Sequence, residues 1–125
     1  MSLMLPLFGF CEGWLEVFSS KEKAESYMEA IDVENGEWLL FDRAGKRLDL
    51  VVTTEQHRFA FLASDKVEIC SPVDEEVGNT ARFHELLIAH LHRTSEENSK
   101  LAGRTLDDLT FEQLLDLAEE VEKIH

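Results

Sequence analysis

Proline, glycine and cysteine are all scarce in this chain of 125 residues, with 2 Pro, 6 Gly and 2 Cys. So few glycines leave no glycine-rich phosphate loop and no G-x-S-x-G nucleophile turn. Cys11 and Cys70 stand alone, with no CxxC pair and no histidine at ligand spacing. Two isolated thiols do not make a secreted disulfide framework, so a reducing, cytoplasmic setting is expected. Basic residues are scarce too, 12 Lys+Arg against 26 Asp+Glu, for a net charge of −14. Affinity for a phosphate backbone comes from cationic contacts, so nucleic acid is not an expected partner. An anionic membrane surface is disfavoured on the same ground. The apolar opening, Met1 to Phe10, has no basic flank, contains Pro6 and Gly9, and is too short to span a bilayer. Residues 1–12 are therefore expected to be irregular, and Met1-Ser2-Leu3 ahead of Met4 has the form of a cloning leader.

The hydrophobic fraction of 44% and charged fraction of 30% are those of a globular domain. Residues 1–125 suit one domain, long enough to bury roughly two-thirds of its unfolded surface without a metal or disulfide. Gly13 to Phe18 predicts a strand of aromatic and β-branched residues. Ser19 and Glu22 have capping-box spacing ahead of a helix whose apolar stripe is Ala24, Tyr27, Met28 and Ile31. Asn35-Gly36 stops that helix. Glu37–Phe41 and Lys46–Val52 flank Asp42-Arg43-Ala44-Gly45 as a hairpin, with Leu48, Leu50 and Val52 on one face. A second hairpin is expected around Ser64-Asp65, between Arg58–Ala63 and Lys66–Cys70. Asn79–Arg93 groups Phe83, Leu86, Leu87 and Leu91 on one helical side, and 95–105 is a polar loop. Thr110 and Gln113 form a capping box ahead of Phe111, Leu114, Leu115, Ala118 and Val121. The fold expected is α+β: an antiparallel sheet of about four to five strands, an N-terminal β-α unit, and two C-terminal helices packed on the sheet. All helices are expected on one face.

Candidate chemistry is sparse. His84-Glu85 opens an H-E-x-x-H pattern, but Ile88 stands where the second histidine belongs. His90 projects about 120° away from His84, so the two share no metal, and neither metal nor cofactor is expected. His90 falls in the apolar arc of its helix and reads as a core histidine satisfied by a backbone carbonyl. His84, His90 and Cys70 are the residues a pocket between sheet and helices would use. From Glu96 to His125 nine acidic residues face three basic ones. Asp107, Asp108, Glu112, Asp116 and Glu119 could form one negative surface, either solvated or a docking face for a basic protein. Trp14 and Trp38 are candidate aromatic anchors for the same partner.

Three segments carry a resemblance: Phe18-Ser19-Ser20, the run from Ala24 to Glu37, and Phe41 to Leu48. Their E-x-x-D-V-x-N-G-E helix stop and F-D-x-x-G-x-x-L hairpin resemble small bacterial proteins, some of them similar to immunity proteins of polymorphic toxin systems. The likeness covers roughly residues 18–48, and its motifs are a helix stop and a turn. What it implies is fold, together with a non-enzymatic inhibitor of a basic toxin; it transfers no functional residue. The rival expectations are a small enzyme or ligand-binding domain, and a structural domain that forms a homodimer through an exposed strand edge.

Overall fold

The computed structural model describes residues 4–56, 63–72, 79–95 and 106–125. Five strands are present: β1 (Leu7–Cys11), β2 (Trp14–Phe18), β3 (Trp38–Phe41), β4 (Arg47–Gln56) and β5 (Ala63–Pro72). Helices α1 (Lys21–Tyr27) and α2 (Ala30–Glu34) lie between β2 and β3. Helix α3 (Asn79–Thr94), a 3-10 turn (Leu106–Asp108) and α4 (Phe111–Val121) follow the sheet. The sheet is antiparallel throughout, in the order β2-β1-β3-β4-β5. The fold is α+β, and among the described residues no helix is long and apolar enough to cross a membrane.

Strand β1 corrects the expectation of an irregular N-terminus. It lies inside the sheet between β2 and β3, and Leu7, Phe8 and Phe10 are all but fully buried. A strand covered on both faces reads as a continuous apolar run rather than an alternation, so its period carried no signal. It joins β2 through Glu12-Gly13, both at positive φ (53° and 84°), the backbone of a two-residue hairpin. Gly9 permits a close approach here. A Cβ at that position would lie 3.0 Å from the Trp38 ring and 3.1 Å from that of Phe18.

The β3–β4 hairpin forms as read. Asp42, buried, accepts from the backbone N–H of Ala44 and of Lys46, both at 3.0 Å. Gly45 takes the left-handed position at φ 87°. The second expected hairpin is corrected. Ser64 and Asp65 pair with Glu55 and Thr54 inside the ladder, so no turn falls there. Ladder hydrogen bonds outweigh a local turn preference. Residues 58–62 of the expected strand lie outside the described residues, as do 96–105 of the expected polar loop.

The first helix also departs from its pattern. Ser20, not Ser19, is the N-cap, its hydroxyl accepting from Lys23 N–H at 3.2 Å. The helix breaks at Met28, where ψ is 130°, giving α1 and α2. Ala24 and Met28 turn inward, while Tyr27 and Ile31 stay 44% and 62% exposed. No proline or glycine marks the break, so the stripe ran through it unbroken in sequence. Asn35 and Gly36 (φ 73°) end α2 as expected. The Thr110–Gln113 capping box opens α4 as expected, and Leu114, Leu115 and Ala118 are buried behind it.

Both faces of the sheet are covered, not one. Phe8, Phe10, Leu15, Val17 and Phe41 pack with Phe83, Leu87 and Leu91 of α3 and with Leu114, Leu115 and Ala118 of α4. On the opposite face, Leu7, Phe18, Trp38, Leu40, Leu48, Val67 and Ile69 pack with Ala24 and Met28 of α1 and its end. Because β1 sends apolar side chains both ways, a single helical layer would leave half of it in water. The outer edges are engaged as well. Val17 bridges Ile124 in parallel, with His125 N–H donating to Val17 O at 2.9 Å. On β5, Ile69 N–H donates to the Glu25 carboxylate at 2.7 Å.

Candidate functional site

Of the sequence-predicted site residues, the α4 acids are the first to find partners. Glu112, Asp116 and Glu119 stand at i, i+4 and i+7, one above another on one face of the helix. All three converge on Arg43 from the β3–β4 loop, at 3.0, 2.7 and 3.0 Å. Burial alone would lower the Arg43 pKa. The hydrogen bond to Glu112 and the charges of Glu119, Glu112 and Asp116 outweigh it and hold the guanidinium above its ordinary value. Asp107 pairs with His92 at 3.1 Å, and Asp108 is exposed. Much of this face is thus a clamp fastening a hairpin loop to a helix. Glu112 and Asp116 still show about three-quarters of their side chains to solvent.

The histidine and cysteine candidates do not come together. The His84 ring meets the edge of Phe111. Cys70 is exposed on β5. His90 is buried, and its Nδ1 accepts from Leu15 N–H at 3.2 Å. That bond places the proton on Nε2, which donates to Glu122 at 2.7 Å. Its partner is therefore a backbone N–H and a carboxylate rather than the carbonyl expected. With both nitrogens committed, His90 ties β2 to the end of α4. Among the described residues no group of three His, Cys, Asp or Glu could hold a metal.

Trp14 and Trp38 do share a site, away from the α4 acids. Both pair with Cys11 across the strands, one from β2 and one from β3. Together with Glu16, Tyr27, Glu29 and Asp32 these three residues line a cleft of about 410 Å³. Strands β1–β3 form its floor, and the end of α1 and the start of α2 form its wall. The helix break at Met28 is what brings Tyr27, Glu29 and Asp32 to the same opening. Tyr27 and Trp38 stand nearly perpendicular, at 86° with centroids 6.2 Å apart. Trp14 is half exposed and carries the Arg93 guanidinium over its ring at 4.7 Å. Arg93 in turn donates to the carbonyl of Gly13. Trp38 is 8% exposed, and its Nε1 has no hydrogen-bond partner among the described residues.

The charged residues that line the cleft, Glu16, Glu29 and Asp32, are all acidic. No lysine or arginine is among its lining residues. Burial, then the charges of Asp32, Glu37, Glu12 and Glu16, push the Cys11 thiol up, which disfavours a nucleophilic thiolate. Burial, the Glu16 charge and a hydrogen bond to Glu16 raise Tyr27. Glu16 is also held by His125 at 2.8 Å, whose ring lies 4.7 Å from that of Tyr27. Beside the cleft, Glu37 is raised by its hydrogen bond to Asp32, then by desolvation and the charges of Asp32 and Glu12. Carboxyls so crowded disfavour the charged form of Glu37.

A second groove of about 630 Å³, lined by Glu22, Glu25, Ser26, Met28, Glu29, Ala30, Lys66, Val67 and Glu68, has no aromatic wall. Sequence reasoning named Trp14 and Trp38 but missed Cys11, Glu16, Tyr27, Glu29 and Asp32. No spacing in the chain links them, since they meet only through the β1 pairings and the helix break. No family model, no curated protein and no solved structure matches the chain.

Proposed function

We propose that this protein is a non-enzymatic binding protein that captures a basic protein, in the manner of an immunity-type inhibitor of a cationic toxin. The observation that carries this reading is the cleft of Trp14, Tyr27 and Trp38 with Glu16, Glu29 and Asp32. Aromatic faces and carboxylates together suit a cation, and partly exposed tryptophan and tyrosine are the side chains that anchor interfaces. The net charge of −14 would steer a basic partner toward it. The protein would act in the cytoplasm, where Cys11 and Cys70 stay reduced.

The interface in this reading is the cleft and its rim; the α4 acids that Arg43 already holds lie away from it. Two observations favour it over the rivals. None of His84, His90 and Cys70 lines either cleft described above, and the β2 edge that a dimer could use is engaged by Ile124 and His125. A tagged copy expressed in the native host tests the reading, with co-purifying proteins identified by mass spectrometry at low and moderate salt. One stoichiometric basic protein, released as salt rises, is the expected result. A stoichiometric acidic or neutral partner whose retention ignores salt would refute it.

A further inference from the structure

Resting on that reading, we infer that the cleft receives one arginine side chain of the basic partner, its guanidinium set between the aromatic rings and the carboxylates of Glu29 and Asp32. Three observations converge on this occupant. First, Tyr27 and Trp38 meet at 86°, presenting two walls of a corner, with Trp14 at the opening. A planar cation can stack on one such wall while its edge remains open to a carboxylate. Second, the fold already makes this contact once. Arg93 lies over the Trp14 ring and donates to the Gly13 carbonyl. Third, unlike Glu16, which His125 holds, Glu29 and Asp32 have no cationic partner among the described contacts. Glu29 is the N-cap residue of α2 yet makes no capping hydrogen bond, and it is exposed. Asp32 lies against another carboxyl, Glu37, where a cation would remove the repulsion.

Arginine is favoured over lysine because a guanidinium is the more weakly hydrated cation. It offers a fork of donors to two carboxylates while its flat face rests on a ring. At about 410 Å³ the cleft has room for the whole side chain, so the aliphatic stem also leaves water.

Both tryptophans of the chain line the cleft, so intrinsic fluorescence reports on it alone. The test titrates the intact protein with N-acetyl-arginine amide, and in parallel with its lysine counterpart and with neutral N-acetyl-citrulline amide. Amide chemical shifts follow each titration. A saturable change with the arginine compound is expected, weak and of order millimolar for so small a ligand. Citrulline should give none, and lysine should bind several-fold more weakly. E29Q/D32N should weaken arginine binding about tenfold. E29Q alone, at an exposed residue, should do so about threefold with unchanged melting. Equal responses to arginine and citrulline, or wild-type affinity in both variants, would overturn the inference. So would lysine binding as tightly as arginine. The companion capture experiment separates the two claims. A basic partner whose binding ignores E29Q/D32N overturns the arginine site and leaves the binding function standing. Arginine binding at the cleft with only an acidic or neutral partner captured overturns both the basic-protein reading and the partner as the source of the guanidinium.

Discussion

Replacing Arg43 by alanine removes one cation from among three carboxylates and leaves them facing one another along a helix. The three contacts are not equivalent. Glu112 and Asp116 leave 74% and 71% of their side chains in solvent, so each pair contributes about 0.3–0.5 kcal/mol. Glu119 is only 27% exposed and meets Nε of a guanidinium that is itself 16% exposed, so that pair contributes about 1 kcal/mol. The total expected for R43A is about 2 kcal/mol, or a fall in Tm of roughly 6–10 °C in a domain of this size. Urea unfolding of R43A, E119A, E112A and the two double variants measures the coupling directly. The Arg43–Glu119 coupling should be at least twice that of Arg43–Glu112 and should survive about 0.5 M salt better, being less exposed to screening. Equal couplings, or a loss in R43A below about 0.5 kcal/mol, would refute the idea that burial decides which member of the clamp matters.

Other consequences are as direct. G9A pushes a methyl group toward Trp38 at 3.0 Å and Phe18 at 3.1 Å, and should cost about 1–3 kcal/mol in urea unfolding with a shifted tryptophan emission. Glu37 binds its proton more tightly folded than unfolded, so its contribution to stability falls as pH rises from the ordinary carboxylate value through the raised one. E37Q should therefore be more stable than the parent at neutral pH and lose that advantage in acid, as read by Tm against pH. The raised, half-buried Cys11 thiol should alkylate more slowly than exposed Cys70, which mass spectrometry of iodoacetamide-treated C11S and C70S variants would show.

How much of the fold can be read in the chain depends on how local its cause is. The β3–β4 hairpin is legible because Asp42 and Gly45 close it with bonds inside six residues. The start of α4 is legible because Thr110 and Gln113 cap each other. Strand β1 is not, because burial on both faces erases the alternation that marks a strand. The site follows the same division. Trp14 and Trp38 stand out as large aromatics, but their meeting at Cys11 depends on β1 lying between β2 and β3. Tyr27 reads as a core position of a continuous helix. It becomes a cleft wall only because that helix breaks after it.

Sequence by itself therefore determined the class of the fold, the acidic character of the surface, and the turns and caps whose hydrogen bonds close within a few residues. Tertiary structure alone decided that the helices take both faces of the sheet and that Arg43 draws three α4 acids together. It also decided that the aromatic and acidic groups gather beside Cys11. The physical reason is distance along the chain. A cap or tight turn is encoded by the residues that make it. A contact such as Arg43 with Glu119, or Cys11 with Trp38, depends on sheet order and packing that no local pattern carries.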